Sequence, residues 1–252
     1  MPQLPEPGRR PLAFLPLAIS ALCGLLIARM AVRDARYLVP VGLIAVLVAL
    51  PPMLARWRLR RIFLSGDVER VLGTWSDAVL RVRHPETMEP LMQATAYAAY
   101  GWLEAGRRAL DRAAKGPAWD AALEQRLFVE TFLDTFEGER ERALLKAEAL
   151  VSLPVAVPGW FARRRVKMLR RAIRAFARAF AHAAQPGDER LLEEASSASP
   201  LVHWAMRYAA AIVAVDRGER TRALSLLEGA PDWPKSSAFQ HFHHELVSHA
   251  GA

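Results

Sequence analysis

The chain has 252 residues, one cysteine, and 34 basic against 26 acidic side chains, for a formal charge of +8. A lone Cys23 excludes a disulfide within the chain. The charge does not make this a nucleic-acid protein by composition: residues 1–60 hold eight arginines against Glu6 and Asp34, whereas residues 61–252 hold 26 basic and 24 acidic side chains.

The first two predicted elements are apolar runs. Leu12 to Ala28 and Tyr37 to Leu54 are 17 and 18 residues without a charge. Either run, as a helix, reaches about 26 Å, close to the ~30 Å of a hydrocarbon core, and flanking arginines can snorkel outward. Residues 12–54 are therefore predicted as a two-helix transmembrane anchor, preceded by a cytoplasmic stretch, residues 1–11. A cleaved signal peptide is the rival for the first run, but no small-x-small site follows it and a second run comes at once. Arg56, Arg58, Arg60 and Arg61 form the strongest flanking cluster, which places both termini in the cytoplasm. Neither run contains a charge, which suits an anchor rather than a transport path. Trp57 sits where an interfacial indole is favoured. The expected setting is the bacterial inner membrane, with the remaining domain facing the cytoplasm.

After Arg61 the apolar residues recur three or four apart, and Gly, Pro and polar clusters interrupt them. Helices are predicted near 54–64, 67–82, 87–100, 102–115, 119–136, 139–152, 158–184, 188–195, 199–216, 219–228 and 236–248. The fold class is all-α. Residues 55–235 form the helical domain and residues 236–252 a histidine-containing C-terminal helix or tail. Glu130, Asp134, Glu137 and Glu141 have the spacing of a solvated helix face. Trp102, Trp204 and Trp233 are expected in packing.

A short turn motif recurs. The string GERERALL begins at Gly138 and GERTRALSLLEG at Gly218; shorter versions begin at Gly66, Gly106 and Gly187. A Gly that ends one helix, acids in the first turn of the next and a small Ala facing back suit two helices packed closely. Recurrence at this scale points to stacked helix pairs. Gly138 with Ala143, and Gly218 with Ala223, resemble the turn of the tetratricopeptide repeat superfamily. Phe128, Phe132 and Phe136, and then Tyr208, Ile212 and Val215, stand where the core face of each first helix would lie. The period is irregular, and the family's usual Trp and Pro positions are not reproduced. The resemblance implies a TPR-like array of antiparallel helix pairs that binds a protein partner in its groove, without catalysis and without a cofactor.

Residues 161–180 carry eight basic side chains and no acid. Val166, Leu169, Ile173, Phe176 and Phe180 form one apolar stripe with a basic flank. Arg163, Arg164, Lys167, Arg170, Arg171, Arg174 and Arg178 are the expected interaction surface. Three uses compete: solvated arginines on an array helix, an anionic lipid surface, and nucleic acid or an acidic protein. No nucleic-acid module accompanies the run, and aromatic residues are not interleaved on its basic face.

Catalytic residues are not predicted. His241, His244 and Glu245 share a helix face, so with a further ligand they could hold a metal for an enzyme. His244-Glu245 followed by His249 makes HExxxH, one residue too long for the zincin pattern. Surface histidines are the plainer reading.

Overall fold

The computed structural model describes residues 38–79 and 82–251. Twelve helices occur among them, and no strand: α1 (Leu38–Leu64), α2 (Val68–Val79), α3 (Pro85–Ala99), α4 (Leu103–Arg112), α5 (Pro117–Ala121), α6 (Leu123–Phe136), α7 (Arg140–Ser152), α8 (Trp160–Phe180), α9 (Asp188–Ala198), α10 (His203–Asp216), α11 (Arg220–Leu227) and α12 (Ala238–Gly251). A single 3₁₀ turn, Pro200–Val202, leads into α10. The all-α expectation holds. The helix predicted over 119–136 divides into α5 and α6 at Ala122, whose ψ of 19° departs from helical values.

Two compact units divide the chain, Met1–Leu59 and Arg60–Ala252. The first apolar run, residues 12–28, lies outside the described residues. The second falls largely on α1; within that run the described side chains Leu43, Val46, Leu47, Val48, Leu50, Met53 and Leu54 are all exposed. Leu43 to Leu54 is only about 17 Å of helix. Among the described residues no helix is long and apolar enough to cross a membrane. The described residues therefore give the transmembrane hairpin no support.

In the second unit the helices pack on their next and next-but-one neighbours. Helices α3, α6, α8, α10 and α12 form one row, each against the following one. Against the first four of these pack α4, α7, α9 and α11 respectively, and each of those also touches the next member of the row. Small residues make the close approach possible: Ala94, Ala98, Ala172, Ala175, Ala209 and Ala211 are fully buried. Helix α10 is apolar nearly all round and sits inside, as such a helix must. The centre of the core is aromatic. Phe132 stacks on Phe128 at 4.6 Å and on Phe176 at 4.4 Å, and Phe136 meets Phe176 and Phe239 edge-on at 5.4 and 5.3 Å. Each such ring contributes about 1.5–3 kcal/mol by burial.

The first helices of the pairs end alike. At the end of α6 the Glu139 N–H donates to Asp134 O (2.8 Å) and the Gly138 N–H to Thr135 O (3.2 Å). At the end of α10 Glu219 donates to Ala214 O (2.8 Å) and Gly218 to Val215 O (2.9 Å). Gly138 and Gly218 stand at φ 81° and 78°, so the repeated glycine is a left-handed helix stop. Ala143 and Ala223, in the first turns of α7 and α11, are buried, as the motif requires. The equivalent stops on α3 and α8 are Gly101 (φ 72°) and His182 (φ 54°). Trp102 donates to Tyr97 O there, and Ala183 to Arg178 O. This corrects two of the expected turn positions. Gly106 lies inside α4, where Leu133 leaves no room for a side chain, and Gly187 begins α9 instead of ending α8.

One supposed surface acid is internal. Asp134 is 1% exposed. Lys146 reaches it at 2.7 Å and Arg107 at 2.5 Å, which ties α4, α6 and α7 together. Burial alone would raise its pKa; the hydrogen bonds from Lys146 and Arg107 outweigh that and hold it below the usual carboxylate range.

The C-terminal segment is no tail either. Helix α12 packs on α10 and α11, with Phe239 fully buried and stacked on Tyr208 at 4.9 Å.

Candidate functional site

The first helices of the pairs line a trough of about 730 Å³. Met88 and Thr95 come from α3, Phe128 from α6, Val166, Leu169 and Ile173 from α8, and Met206 from α10. Ala118 and Ala121 of α5 form one lip; Ser199, Leu201 and Val202 form another. The 3.6-residue period explains the lining. Each first helix gives one stripe to the core and an adjoining stripe to the trough, so Leu169 and Ile173 recur four apart. The walls are almost wholly hydrocarbon.

The polar groups of the trough are engaged with one another. Arg170 is 4% exposed. It pairs with Glu124 at 2.8 Å and donates to Leu153 O at 2.5 Å, while Gln125 Nε2 donates to Thr95 Oγ1 at 2.9 Å. Arg83 and His84 stand exposed at the mouth. The trough thus offers apolar contact in depth and hydrogen-bonding groups at its rim, which is the usual composition of a binding cleft.

The expected basic surface divides in two. Arg170 is buried. Arg174 lies 3.1 Å from Glu148 on α7, and Arg178 makes a nearly buried pair with Asp188 of α9 at 2.5 Å. Those three hold helices together and are unavailable as a surface. Arg163, Arg164, Lys167 and Arg171 remain exposed on one face of α8.

The terminal histidines diverge. His241 is exposed and 3.7 Å from Glu245. Among the described residues no three His, Cys, Asp or Glu side chains are grouped to hold a metal ion. The terminal histidine bonded to another helix is His243, which the sequence did not single out. Trp233 Nε1 donates to the Tyr208 hydroxyl at 2.8 Å, and that hydroxyl lies 2.9 Å from His243 Nδ1. The indole can only donate, so the tyrosine hydroxyl is free to give its own proton to Nδ1 when the neutral His243 ring carries its hydrogen on Nε2. Burial, followed by the nearby His244, holds its pKa below the ordinary histidine value against the pull of Asp232, while burial raises that of Tyr208.

Trp204 and Trp233 are buried as expected, and Trp204 Nε1 donates to Leu64 O at 2.9 Å. The trough was invisible in the sequence because its lining comes from helices far apart in the chain; an apolar stripe wider than one helix contact was the available signal. No family model, curated protein or solved structure matches the chain.

Proposed function

We propose that this protein is a membrane-tethered, TPR-like helical scaffold whose trough receives the apolar face of a segment from a protein partner. The observation that carries the reading is the trough itself. It runs across the first helices of four successive pairs, has hydrocarbon walls and keeps its interior polar groups paired. A row of this kind suits a chain segment laid along it, with side chains inserted at helical or extended spacing. The alternation of packing and the four matching helix stops support the repeat reading.

The tether rests on the two charge-free runs of the sequence and on the exposure of the apolar side chains of α1. Water is a poor solvent for Leu43 through Leu54, and lipid would cover them. Alkaline extraction of membranes tests this part: the full chain is expected in the pellet, and a chain that washes off overturns the tether.

A photo-crosslinking residue at Ser199 tests the trough in intact cells. A discrete protein adduct is expected, and Ala121→Trp, which fills the trough from its exposed lip, should remove it. The same probe at Leu145, 72% exposed on α7, should give none. An adduct unaffected by Ala121→Trp, or only lipid and small-molecule adducts, overturns the partner reading.

A further inference from the structure

Helix α8 opens with two aromatic side chains in water. Trp160 is 64% and Phe161 82% exposed, and their rings meet edge-on at 4.8 Å. Single exposed apolar residues are ordinary; an adjacent protruding pair is a contact surface without its partner.

The cations follow on the same face. Arg163, Arg164, Lys167 and Arg171 lie three, four, seven and eleven residues after Trp160, a single helical stripe. Among the described residues Arg164, Lys167 and Arg171 have no carboxylate partner. Arg163 Nε donates to Val157 O at 2.9 Å, and the Arg164 guanidinium lies over the Trp160 ring at 5.5 Å. A shallow depression of about 500 Å³ joins the stripe to α9, with Glu194 the acid among its lining residues.

The placement opposes the helix dipole. The first turn of α8 contains no acid, and Gly159 supplies no side-chain cap. Cations beside the positive end of a helix are unfavourable, and free N–H groups there call for an anion. Phosphates would satisfy the cations and the helix end together.

We propose that this patch docks on an anionic lipid surface. Trp160 and Phe161 enter the boundary between headgroups and acyl chains, and the four cations pair with lipid phosphates. The arrangement favours lipid over nucleic acid because both aromatic rings project from one end of the stripe. Stacking on successive bases would need them interleaved with the cations. This inference does not depend on what occupies the trough.

The test uses the full chain with Cys23→Ser and Pro158→Cys, labelled at 158 with a polarity-sensitive dye and diluted from detergent into vesicles. Placing the dye beside the patch makes the readout independent of whether residues 12–54 insert. On phosphatidylcholine vesicles with about 30% phosphatidylglycerol, emission should move to the blue and a lipid-borne nitroxide should quench it. On pure phosphatidylcholine neither should occur. Trp160→Ala/Phe161→Ala should return quenching to the neutral-vesicle level, as should Arg164→Glu/Lys167→Glu, with helix content unchanged by circular dichroism. A dye at Leu145→Cys should stay unquenched throughout. Equal quenching on neutral and anionic vesicles overturns the proposal. So does a probe that answers to a single-stranded oligonucleotide and not to anionic vesicles, an outcome that would assign the patch to nucleic acid.

Discussion

Burial favours the neutral form of His243, in which Nδ1 can accept the Tyr208 proton. If Nδ1 takes a proton it becomes a donor, and the Tyr208 hydroxyl, already receiving from Trp233, loses the acceptor for its own proton. The groups facing the ring are Tyr208 on α10, His244 on its own helix and Asp232 in the preceding loop. Because the folded pKa is depressed, the unfolded chain binds more protons near pH 6. The contribution of His243 is thus complete above the unfolded histidine pKa of about 6.5 and fades as pH falls through the folded value. His203 is also depressed, chiefly by burial, and acts in the same window. Asp134 acts at much lower pH: its contribution is present above the ordinary carboxylate pKa and is lost as pH falls through its lower folded value. Stability should therefore drop as pH falls below about 6.5, by less than about 1 kcal/mol for the half-exposed His243 hydrogen bond. Denaturant midpoints across that range should show a smaller drop for His243→Gln than for the parent chain; an identical slope would remove His243 from the account.

Helix α8 shows how one element can carry basic residues for opposite reasons. One face presents Arg163, Arg164, Lys167 and Arg171 to solvent. Another face turns Arg170, Arg174 and Arg178 towards Glu124, Glu148 and Asp188. Breaking a buried pair from one side leaves the rest of its network uncompensated and costs about 3–5 kcal/mol, whereas an exposed charge is worth within about 0.5 kcal/mol. Arg170→Glu, which also faces Glu124, should lower the unfolding midpoint sharply. Lys167→Glu, one turn away, should leave it nearly unchanged. Equal effects of the two substitutions would show that the division of α8 is wrong. Binding measured with an Arg170 variant would accordingly report stability rather than recognition.

At the scale of the molecule, the row of first helices is closed by α12. Phe239 stacks on Tyr208, and Phe242 meets Phe136 and Phe180 at 5.7 and 5.1 Å. Each step of such an array is stabilised by its neighbours, so an uncovered last pair exposes its core face. Deleting the buried Phe239 costs about 3–5 kcal/mol and the half-buried Phe242 adds to that, a large share of a whole domain stability of ~5–15 kcal/mol. A chain ending at Lys235 should lose cooperative unfolding, as seen by circular dichroism in denaturant. Retention of the parent midpoint would show that α12 is dispensable to the core.

Most helices were legible because the signal for a helix is local. Apolar spacing, a Gly stop and an acidic first turn all act within a few residues, so Gly138 and Gly218 could be placed from their own neighbourhoods. Gly106 misled because a glycine letter says nothing of φ: the stop on α3 is one turn earlier, at Gly101, and on α8 a histidine takes that role. Charge partners were not legible. Asp134 has the same spacing as solvated acids, and Arg170 the same spacing as Lys167; what separates them is Lys146 and Arg107 in one case and Glu124 in the other. The sequence by itself determined which segments are helical, most of their ends and which stripe of each is apolar, because those depend mainly on backbone bonds and side chains one turn apart. Only the tertiary structure decided which charges are internal, which histidine is bound and where a trough opens, because those depend on side chains that the packing of the array brings together from distant helices.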